Sequence, residues 1–344
     1  MNDCSIAVIG ATGAVGQVFL RMLTERDFPA GTIRVCASER SVGKILHVNG
    51  RPLTVEMATP ELLRDVDLAF ISASGDVSRE LAPIAVREGA MVIDDSSAFR
   101  MEPDVPLVVP EVNAADLEHH RGIVSIPNCS TTPLVMVLKP LNDANPVQRV
   151  IADTYQSVTG TGAAALEELR EQSSQVLEGE PVEPDAYPHQ IAFNALPQVE
   201  AFTDNGYTTE EMKMVHETRK ILHLPELAVS ATCVRVPVMV SHSEAVHIEF
   251  ANPISPSEVR EILSESPGVE VLDDPQANLY PMPIDAAGKD EVFVGRIRRD
   301  LSHPNGIAMW IVSDNLRKGA ALNALQIAEE VLSRELLSAP GRRV

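Results

Sequence analysis

Ser5-Ile6-Ala7-Val8-Ile9 followed by Gly10-Ala11-Thr12-Gly13-Ala14-Val15-Gly16 is the stretch that decides the fold. A short apolar run gives way to glycines three residues apart, and Val18, Phe19, Met22 and Leu23 then recur at helical spacing. This reads as strand, tight turn, helix. Glycines in such a turn let the backbone come close to a pyrophosphate, and the helix N-terminus favours the negative charge. The spacing is GxxGxxG rather than GxGxxG, so an unrelated Gly-rich turn is the alternative reading of the same residues.

Moving outward, apolar runs recur at Ile33–Val35, Leu68–Ile71, Met91–Ile93, Leu107–Val109 and Gly122–Ile126, with helical patterns at Pro60–Arg64 and Ser78–Glu88. Alternating strands and helices predict an α/β, Rossmann-type doubly wound parallel sheet. Ser72-Ala73-Ser74-Gly75 closes another strand of this half, and ligands of such sheets sit at the carboxyl ends of strands.

After about residue 130 the rhythm changes. Ala163–Glu178 reads as a helix, Val229–Val240 and Ala245–Phe250 as strands, and Leu316–Leu337 as a long helix. An α+β domain is expected there, with Pro181–Pro197 as an extended excursion or subunit-contact arm.

The 344 residues suit about two domains. Lys+Arg 28 against Asp+Glu 49 leaves a net charge of −21, which opposes attraction to nucleic acid and to anionic membranes. Cys4, Cys36, Cys129 and Cys233 are too far apart for a zinc cluster or a small disulfide scaffold, so no metal is expected and a reducing cytoplasm fits best. Met1-Asn2-Asp3 carries no basic leader pattern, and no apolar run reaches the roughly 20 residues a membrane span needs.

The choice between NAD and NADP falls on Ala37-Ser38-Glu39-Arg40-Ser41-Val42-Gly43-Lys44, after the second strand. Arg40 beside Ser38 and Ser41 suits a ribose 2′-phosphate, while Glu39 suits a 2′-hydroxyl. NADP is favoured, and a solvated Ser/Arg loop is the bland alternative.

Asn128-Cys129-Ser130-Thr131-Thr132-Pro133 places a cysteine where a strand yields to a helix. A helix N-terminus stabilises a thiolate, whereas an inert core thiol is the commoner fate of a cysteine. Beside a nucleotide-binding half, a reactive Cys129 suggests an aldehyde oxidised through a thioester. His242 closes Arg235-Val236-Pro237-Val238-Met239-Val240-Ser241-His242, which puts a cation and an imidazole at the two ends of an expected strand.

The chain resembles the aspartate-β-semialdehyde dehydrogenase family along essentially its whole length. The resemblance is carried by GATGAVG at 10–16, SSAFR at 96–100, VPEVN at 109–113, PNCST at 127–131, YQSVTGTG at 155–162 and PHQIAFNALPQ at 188–198. EEMK at 210–213, RVPVMVSHS at 235–243 and DNLRKGAALNALQIAE at 314–329 extend it. It implies NADPH-dependent reductive dephosphorylation of β-aspartyl phosphate to the semialdehyde, reversibly and through a cysteine thioester, in lysine, methionine and threonine biosynthesis.

Residue by residue, the resemblance implies Cys129 as nucleophile, His242 as acid/base group and Gln156 as the residue orienting the acyl group. Asn128, or equally the backbone N–H of Cys129, would meet the thioester oxygen. Arg235 would bind the substrate α-carboxylate, Glu210 its ammonium group, and Arg100 and Lys213 phosphate. Gly10, Thr12, Gly13, Ala14, Val15, Gly16, Ser38, Arg40, Ser41, Ser72, Gly75, Gly160, Asn315 and Gly319 would contact NADP. Asp95 stands where the family commonly has asparagine, so a carboxylate replaces an amide at one nicotinamide-side contact. The implied domains are 1–130 with 315–344 for the dinucleotide, and 131–314 for catalysis and dimerisation, in a homodimer or homotetramer.

Taken alone, Glu210-Glu211-Met212-Lys213 could be a solvated helix turn with an ion pair worth about 0.3–0.5 kcal/mol. The nearest rival function is reduction of a longer, N-acylated acyl phosphate, as in N-acetyl-γ-glutamyl-phosphate reductase. Glu210 argues against it, because an acylated amine needs no carboxylate partner. A noncatalytic nucleotide-binding relative would have no use for Cys129, Gln156, Arg235 and His242 together.

Overall fold

The computed structural model describes residues 4–337. Met1, Asn2 and Asp3, and the end of the expected 315–344 segment from residue 338 on, lie outside the described residues. The chain forms two compact units: one runs to Pro127 and resumes at Ala320, and the other is Asn128–Gly319.

The first unit contains β1 (Cys4–Ile9), β2 (Ala30–Ala37), β3 (Ile45–Val48), β4 (Arg51–Thr54), β5 (Glu56–Met57), β6 (Leu68–Ile71), β7 (Met91–Asp94) and β8 (Ile123–Ser125). Six of these form one sheet in the order β5-β2-β1-β6-β7-β8, with every pairing parallel. The doubly wound sheet read from the sequence is therefore present. β6 and β7 are buried at every position, as strands covered on both faces must be. Phe19, on the helix Ala14–Glu25, stacks on Phe70 of β6 with ring centroids 4.2 Å apart and pins that helix to the sheet. β3 and β4 form a separate hairpin turned by Asn49 and Gly50, both at positive φ.

Chain order reverses between β1 and β6, so Gly10 and Ser72 stand together at the switch point of the sheet. Two short elements differ from expectation. Pro60–Arg64 is a succession of turns rather than helix, ended by Asp65 at φ 58°. Leu107–Val109 contributes only the bridge Leu107 to Ser125, because Pro106 and Pro110 flank it and neither can donate to a ladder.

The second unit is built on β9 (Val147–Gln156), β10 (Ala228–Arg235), β11 (His242–Phe250), β12 (Val269–Val271), β13 (Val292–Arg299) and β14 (Gly306–Ser313). Their order is β10-β9-β11-β14-β13-β12, with parallel pairs only at β10–β9 and β12–β13. One face carries Val150, Ala152, Val246, Ile248, Ile307, Met309 and Ile311 into the core. The helix Thr131–Ala144 packs against β9 and β14 and against the helices Thr209–Ile221 and Pro256–Ser264. The opposite face carries Tyr155 and Trp310, whose rings tilt together at 5.3 Å.

Ala163–Glu178 is a helix with the expected ends, closed by Gly179 at φ 74°. The excursion Pro181–Pro197 contains neither helix nor strand, and its Ile191 and Ala192 pack on Ala165 and Leu169 of that helix. Gln172 Oε1 accepts the N–H groups of both Ile191 and Ala192, so the excursion is fastened rather than loose.

The expected strand Val229–Val240 is shorter and divided. β10 ends at Arg235, since Pro237 has no N–H for a ladder, and Ser241 at φ 76° turns the chain into β11. Arg235 and His242 are thus the last residue of one strand and the first of another. The expected long helix Leu316–Leu337 begins as a π turn, Arg317–Ala321, and is α-helical over Leu322–Ser333.

Candidate active site

The register of β10, β9 and β11 brings together residues that the motifs single out. Arg235 pairs with Gln156, and Ser243 pairs with Tyr155, so His242 lies level with Gln156 at the same end of the sheet. Residues 128–130 lead into the helix Thr131–Ala144. Cys129 lies there, with its Sγ 3.3 Å from His242 Nε2.

The turn is held by Asn128. Its Oδ1 accepts the Ser130 N–H at 2.9 Å, its carbonyl accepts the Thr132 N–H at 3.1 Å, and its own N–H donates to buried Glu217 at 2.7 Å. The Asn128 amide then donates to Glu210 Oε1 at 2.9 Å. Gln156 Nε2 donates to Ser130 Oγ at 2.7 Å and to the same Glu210 oxygen at 2.8 Å, joining the cysteine turn to the sheet.

The EEMK sequence divides its two glutamates between tasks. Glu211 closes a capping box with Thr208 and also accepts the Cys233 N–H, so it fixes the start of the helix Thr209–Ile221. Glu210, one residue earlier, faces the cysteine turn and pairs with Lys213 at 3.1 Å. It is 4% exposed, so the solvated-turn reading does not hold. Burial alone would raise its carboxyl, but the Lys213 charge and the hydrogen bonds from Gln156 and Asn128 outweigh this and hold it at about 2.

Arg235 Nη1 donates to the Ser157 carbonyl at 2.7 Å. Among the described residues, its Nε and Gln156 Oε1 are buried without a hydrogen-bond partner, an orphan donor and an orphan acceptor on neighbouring strands. Buried orphans of this kind are costly unless a ligand meets them.

His242 Nδ1 accepts the Ser157 N–H at 3.0 Å. The neutral ring therefore carries its proton on Nε2, toward the sulfur. Burial, and then the Arg235 charge, push this imidazole down to about 3, while Glu210 and the Ser241 backbone pull the other way and lose. The other thiols are of the inert kind: burial pushes Cys4 and Cys36 up to about 12 and raises Cys233 further.

Gly160, Asn315 and Gly319 belong to this unit and stand beside the same residues. A Cβ on Gly160 would lie 3.0 Å from Arg235 Nη1 and 3.3 Å from His242 Nε2. A Cβ on Gly319 would lie 3.0 Å from Cys129 Cβ. Asn315 Oδ1 accepts the Ser241 N–H at 2.9 Å.

Comparison with known proteins identifies the family. The sequence model described as "Semialdehyde dehydrogenase, NAD binding domain" matches residues 5–120, and "Semialdehyde dehydrogenase, dimerisation domain" matches residues 138–318. An aspartate-semialdehyde dehydrogenase of Bacillus subtilis is 50% identical over 340 residues, covering 96% of this chain and 98% of its own. The chain belongs to the aspartate-semialdehyde dehydrogenase family. It is an oxidoreductase. The crystal structure of aspartate semialdehyde dehydrogenase II from Vibrio cholerae, complexed with ASA, superposes with a TM-score of 0.93 at 45% identity, covering 97% of this chain and 99% of that one. The Candida albicans enzyme, solved with NADP, gives 0.76 at 27% identity, with 96% and 99% covered.

The family's NAD-binding domain corresponds to the first unit, and the glycine turn there is shaped as a dinucleotide needs. Gly10 has φ 87°, and a Cβ would lie 1.9 Å from the Ser72 carbonyl oxygen. On Gly16 a Cβ would lie 2.3 Å from the Gly10 oxygen. Gly13 caps the helix Ala14–Glu25 without a side chain, and no acidic residue occupies its first turn, so the first N–H groups face an uncrowded, positively polarised end. Thr12, Ala14 and Val15 complete that turn, and Ser74, preceding Gly75, caps the helix Gly75–Arg87. Ser38 and Arg40 flank Glu39 at a short 3₁₀ turn whose Ser41 hydroxyl accepts from Lys44 at 3.4 Å.

Asp95 accepts from Ser72 Oγ at 2.8 Å, and its carbonyl accepts from Arg100 Nη2 at 2.8 Å. Burial raises the Asp95 carboxyl against the opposing pull of Ser72 and Arg100. Ser157, Thr159, Ser130, Ser241 and Glu217 were not singled out by sequence. Ser157 and Thr159 lie inside the YQSVTGTG motif, Ser130 inside PNCST and Ser241 inside RVPVMVSHS, and those motifs were the signal available for them.

Proposed function

We propose that this enzyme converts β-aspartyl phosphate to aspartate β-semialdehyde, reversibly, with Cys129 as the acyl carrier. The 3.3 Å approach of Cys129 Sγ to His242 Nε2, at the end of the Arg235–Gln156–His242 row, carries the reading. The thiolate attacks the acyl carbon, a C–S bond forms, and the C–O bond to phosphate breaks as inorganic phosphate leaves. NADPH, when bound, supplies the hydride that reduces the thioester to the aldehyde.

His242 is assigned as the acid/base group by the motif that carries it, and in the arrangement described its Nε2–H donates a hydrogen bond to the Cys129 thiolate. Asn128, or equally the Cys129 backbone N–H, serves as donor to the thioester oxygen, a contribution of about 2.7–4 kcal/mol in other acyl-transfer enzymes. Gln156 offers its orphan Oε1 to the acyl substrate and holds the cysteine turn through Nε2. The buried guanidinium of Arg235 receives the α-carboxylate, for which a planar fork is suited. Ionised Glu210 faces the ammonium group, and Arg100 and Lys213 are assigned to phosphate by the motifs that carry them.

NADP is held by the glycine turn of residues 10–16 with Ser38, Arg40, Ser41, Ser72 and Gly75, supported by the close approaches at Gly10 and Gly16. Gly160, Asn315 and Gly319 are proposed to meet its nicotinamide end. The dinucleotide domain is taken as 1–130 with 315–344 and the catalytic and dimerisation domain as 131–314. A homodimer or homotetramer forms through the latter, in keeping with Tyr155 and Trp310 on the outer sheet face. The enzyme works in the cytoplasm, in lysine, methionine and threonine biosynthesis. Among the described residues no helix is long and apolar enough to cross a membrane.

The deciding experiment follows NADPH formation from aspartate semialdehyde with and without phosphate. Turnover that needs phosphate is expected, and equal rates without it would reject the acyl-phosphate reaction.

A further inference from the structure

Asn315 turns its side chain toward the residues that flank His242. Its Nδ2 donates to Thr159 Oγ1 at 3.2 Å, Thr159 Oγ1 lies 3.2 Å from Ser157 Oγ, and Ser157 Oγ donates to Asn315 Oδ1 at 3.1 Å. Each hydroxyl has one proton to give: Ser157 spends its own on Asn315, and Thr159 has both Ser157 Oγ and Asn315 Oδ1, the latter at 3.3 Å, as acceptors, so the three side chains close a cycle of contacts. The remaining lone pair of Oδ1 takes the Ser241 N–H at 2.9 Å.

Ser157 and Ser241 are the two residues that place the imidazole. Ser241 precedes His242 in a left-handed conformation, φ 76°, that a serine holds only when its surroundings require it. Ser157 donates its N–H to His242 Nδ1, and its hydroxyl lies 3.1 Å from the same nitrogen. With the hydroxyl proton spent on Asn315, the backbone N–H is the donor at Nδ1, and the ring proton stays on Nε2.

We propose that Asn315 is a positioning residue for His242, acting through Ser157 and Ser241, and that it keeps the imidazole Nε2–H aimed at the Cys129 sulfur. This rests on the reading of Cys129 and His242 as the reacting pair, and it gives Asn315 a task separate from cofactor contact. The titratable and charged groups around the ring are Cys129, Arg235 and Glu210, and none of them is altered in the variants below.

The test compares wild type, Asn315→Ala, Asn315→Asp and Ser157→Ala in the full chain. Alkylation of Cys129 by iodoacetamide is followed against pH without substrate or cofactor and located by peptide mass spectrometry. In Asn315→Ala the thiolate loses an aligned donor, so the midpoint of the alkylation profile moves up by about one pH unit. Its kcat falls about 10²-fold, the usual cost of a misplaced catalytic group. Because Asn315 is also placed at the nicotinamide end of NADP, the deciding readout is the cofactor-free alkylation profile rather than NADP affinity, and Asn315→Asp, which keeps an oxygen for Ser157 and Ser241, turns over faster than Asn315→Ala.

An unmoved alkylation profile in Asn315→Ala overturns the proposal, as does a loss confined to NADP affinity. Should Asn315→Ala not fold, Ser157→Ala, which opens the cycle at one side, must move the midpoint in the same direction, and an unmoved midpoint there is equally fatal. Because alkylation needs no substrate, failure of the phosphate-dependent reaction would leave this result standing on its own.

Discussion

Gly319 lies so close to Cys129 that a Cβ on residue 319 would come within 3.0 Å of the cysteine's Cβ and 3.3 Å of its Cα. Such a contact is tighter than nine in ten that real Cβ atoms make, so a methyl on residue 319 fits only if the cysteine turn gives by a few tenths of an ångström. Gly319→Ala should therefore shift Cys129 while leaving the fold intact. Overpacking of this kind costs about 1–3 kcal/mol, read from denaturant unfolding. The kcat loss should reach about 10²-fold, because displacement of the nucleophile by a fraction of an ångström spoils its approach. Wild-type turnover in Gly319→Ala would show that the turn has room to yield.

Cys129→Ala should fold, bind NADP with wild-type affinity and have no measurable turnover. His242→Asn should retain substrate binding, since Arg235 and Glu210 are untouched, and slow acyl transfer by about 10²–10⁴-fold. Stopped-flow measurement of phosphate release separates the two. Cys129→Ala gives no burst, and His242→Asn gives a slow one. A fast burst in His242→Asn removes the imidazole from the chemistry.

Acid should weaken the fold in two separable steps. Unfolded histidine takes a proton near 6.5, whereas His242 in the fold resists until about 3. Between those values the unfolded chain binds more protons, so stability falls as pH drops through the interval. Glu210 is held at about 2 against an ordinary 4.5, so its contribution is present above 4.5 and is lost as pH falls toward 2. Urea unfolding as a function of pH should lose the upper part of this slope in His242→Asn and the lower part in Glu210→Gln. Parallel curves for all three proteins would contradict both assignments.

Gly10→Ala should be more damaging than a surface change of the same size. The added Cβ meets the Ser72 carbonyl oxygen at 1.9 Å, and residue 10 has φ 87°, so both the contact and the backbone oppose it. Nucleotide binding measured by calorimetry should be lost before the second unit's thermal transition moves. Wild-type NADP affinity in this variant would remove the glycine turn from the cofactor site.

Much of the first unit was legible because its signals are local. The run Ser5–Ile9, the three glycines and the helical spacing of Val18 to Leu23 lie within one continuous stretch. Ala163–Glu178 was equally readable, since Gly179 ends it as a left-handed cap. The second unit misled where composition and backbone chemistry disagree. Val236-Pro237-Val238-Met239-Val240 has the β-branched content of a strand, but Pro237 cannot join a ladder.

At the site, residue types and family motifs named Cys129 and His242, but they are 113 positions apart in the chain. Their meeting depends on a register, Ser243 opposite Tyr155, that no local pattern encodes. The serines and threonine that fix the ring's tautomer were harder still. Ser157, Thr159 and Ser241 are common loop residues, and their part depends on which hydroxyl spends its proton on Asn315.

Chain crossings between compact units are usually the places where proteins best tolerate inserted sequence or new termini. Here the two crossings fall between Pro127 and Asn128 and between Gly319 and Ala320. One is a residue away from Cys129 in sequence, and the other ends on the glycine packed beside it. Circular permutation or domain exchange should therefore be sought in exposed loops such as Asn49-Gly50 rather than at these two crossings.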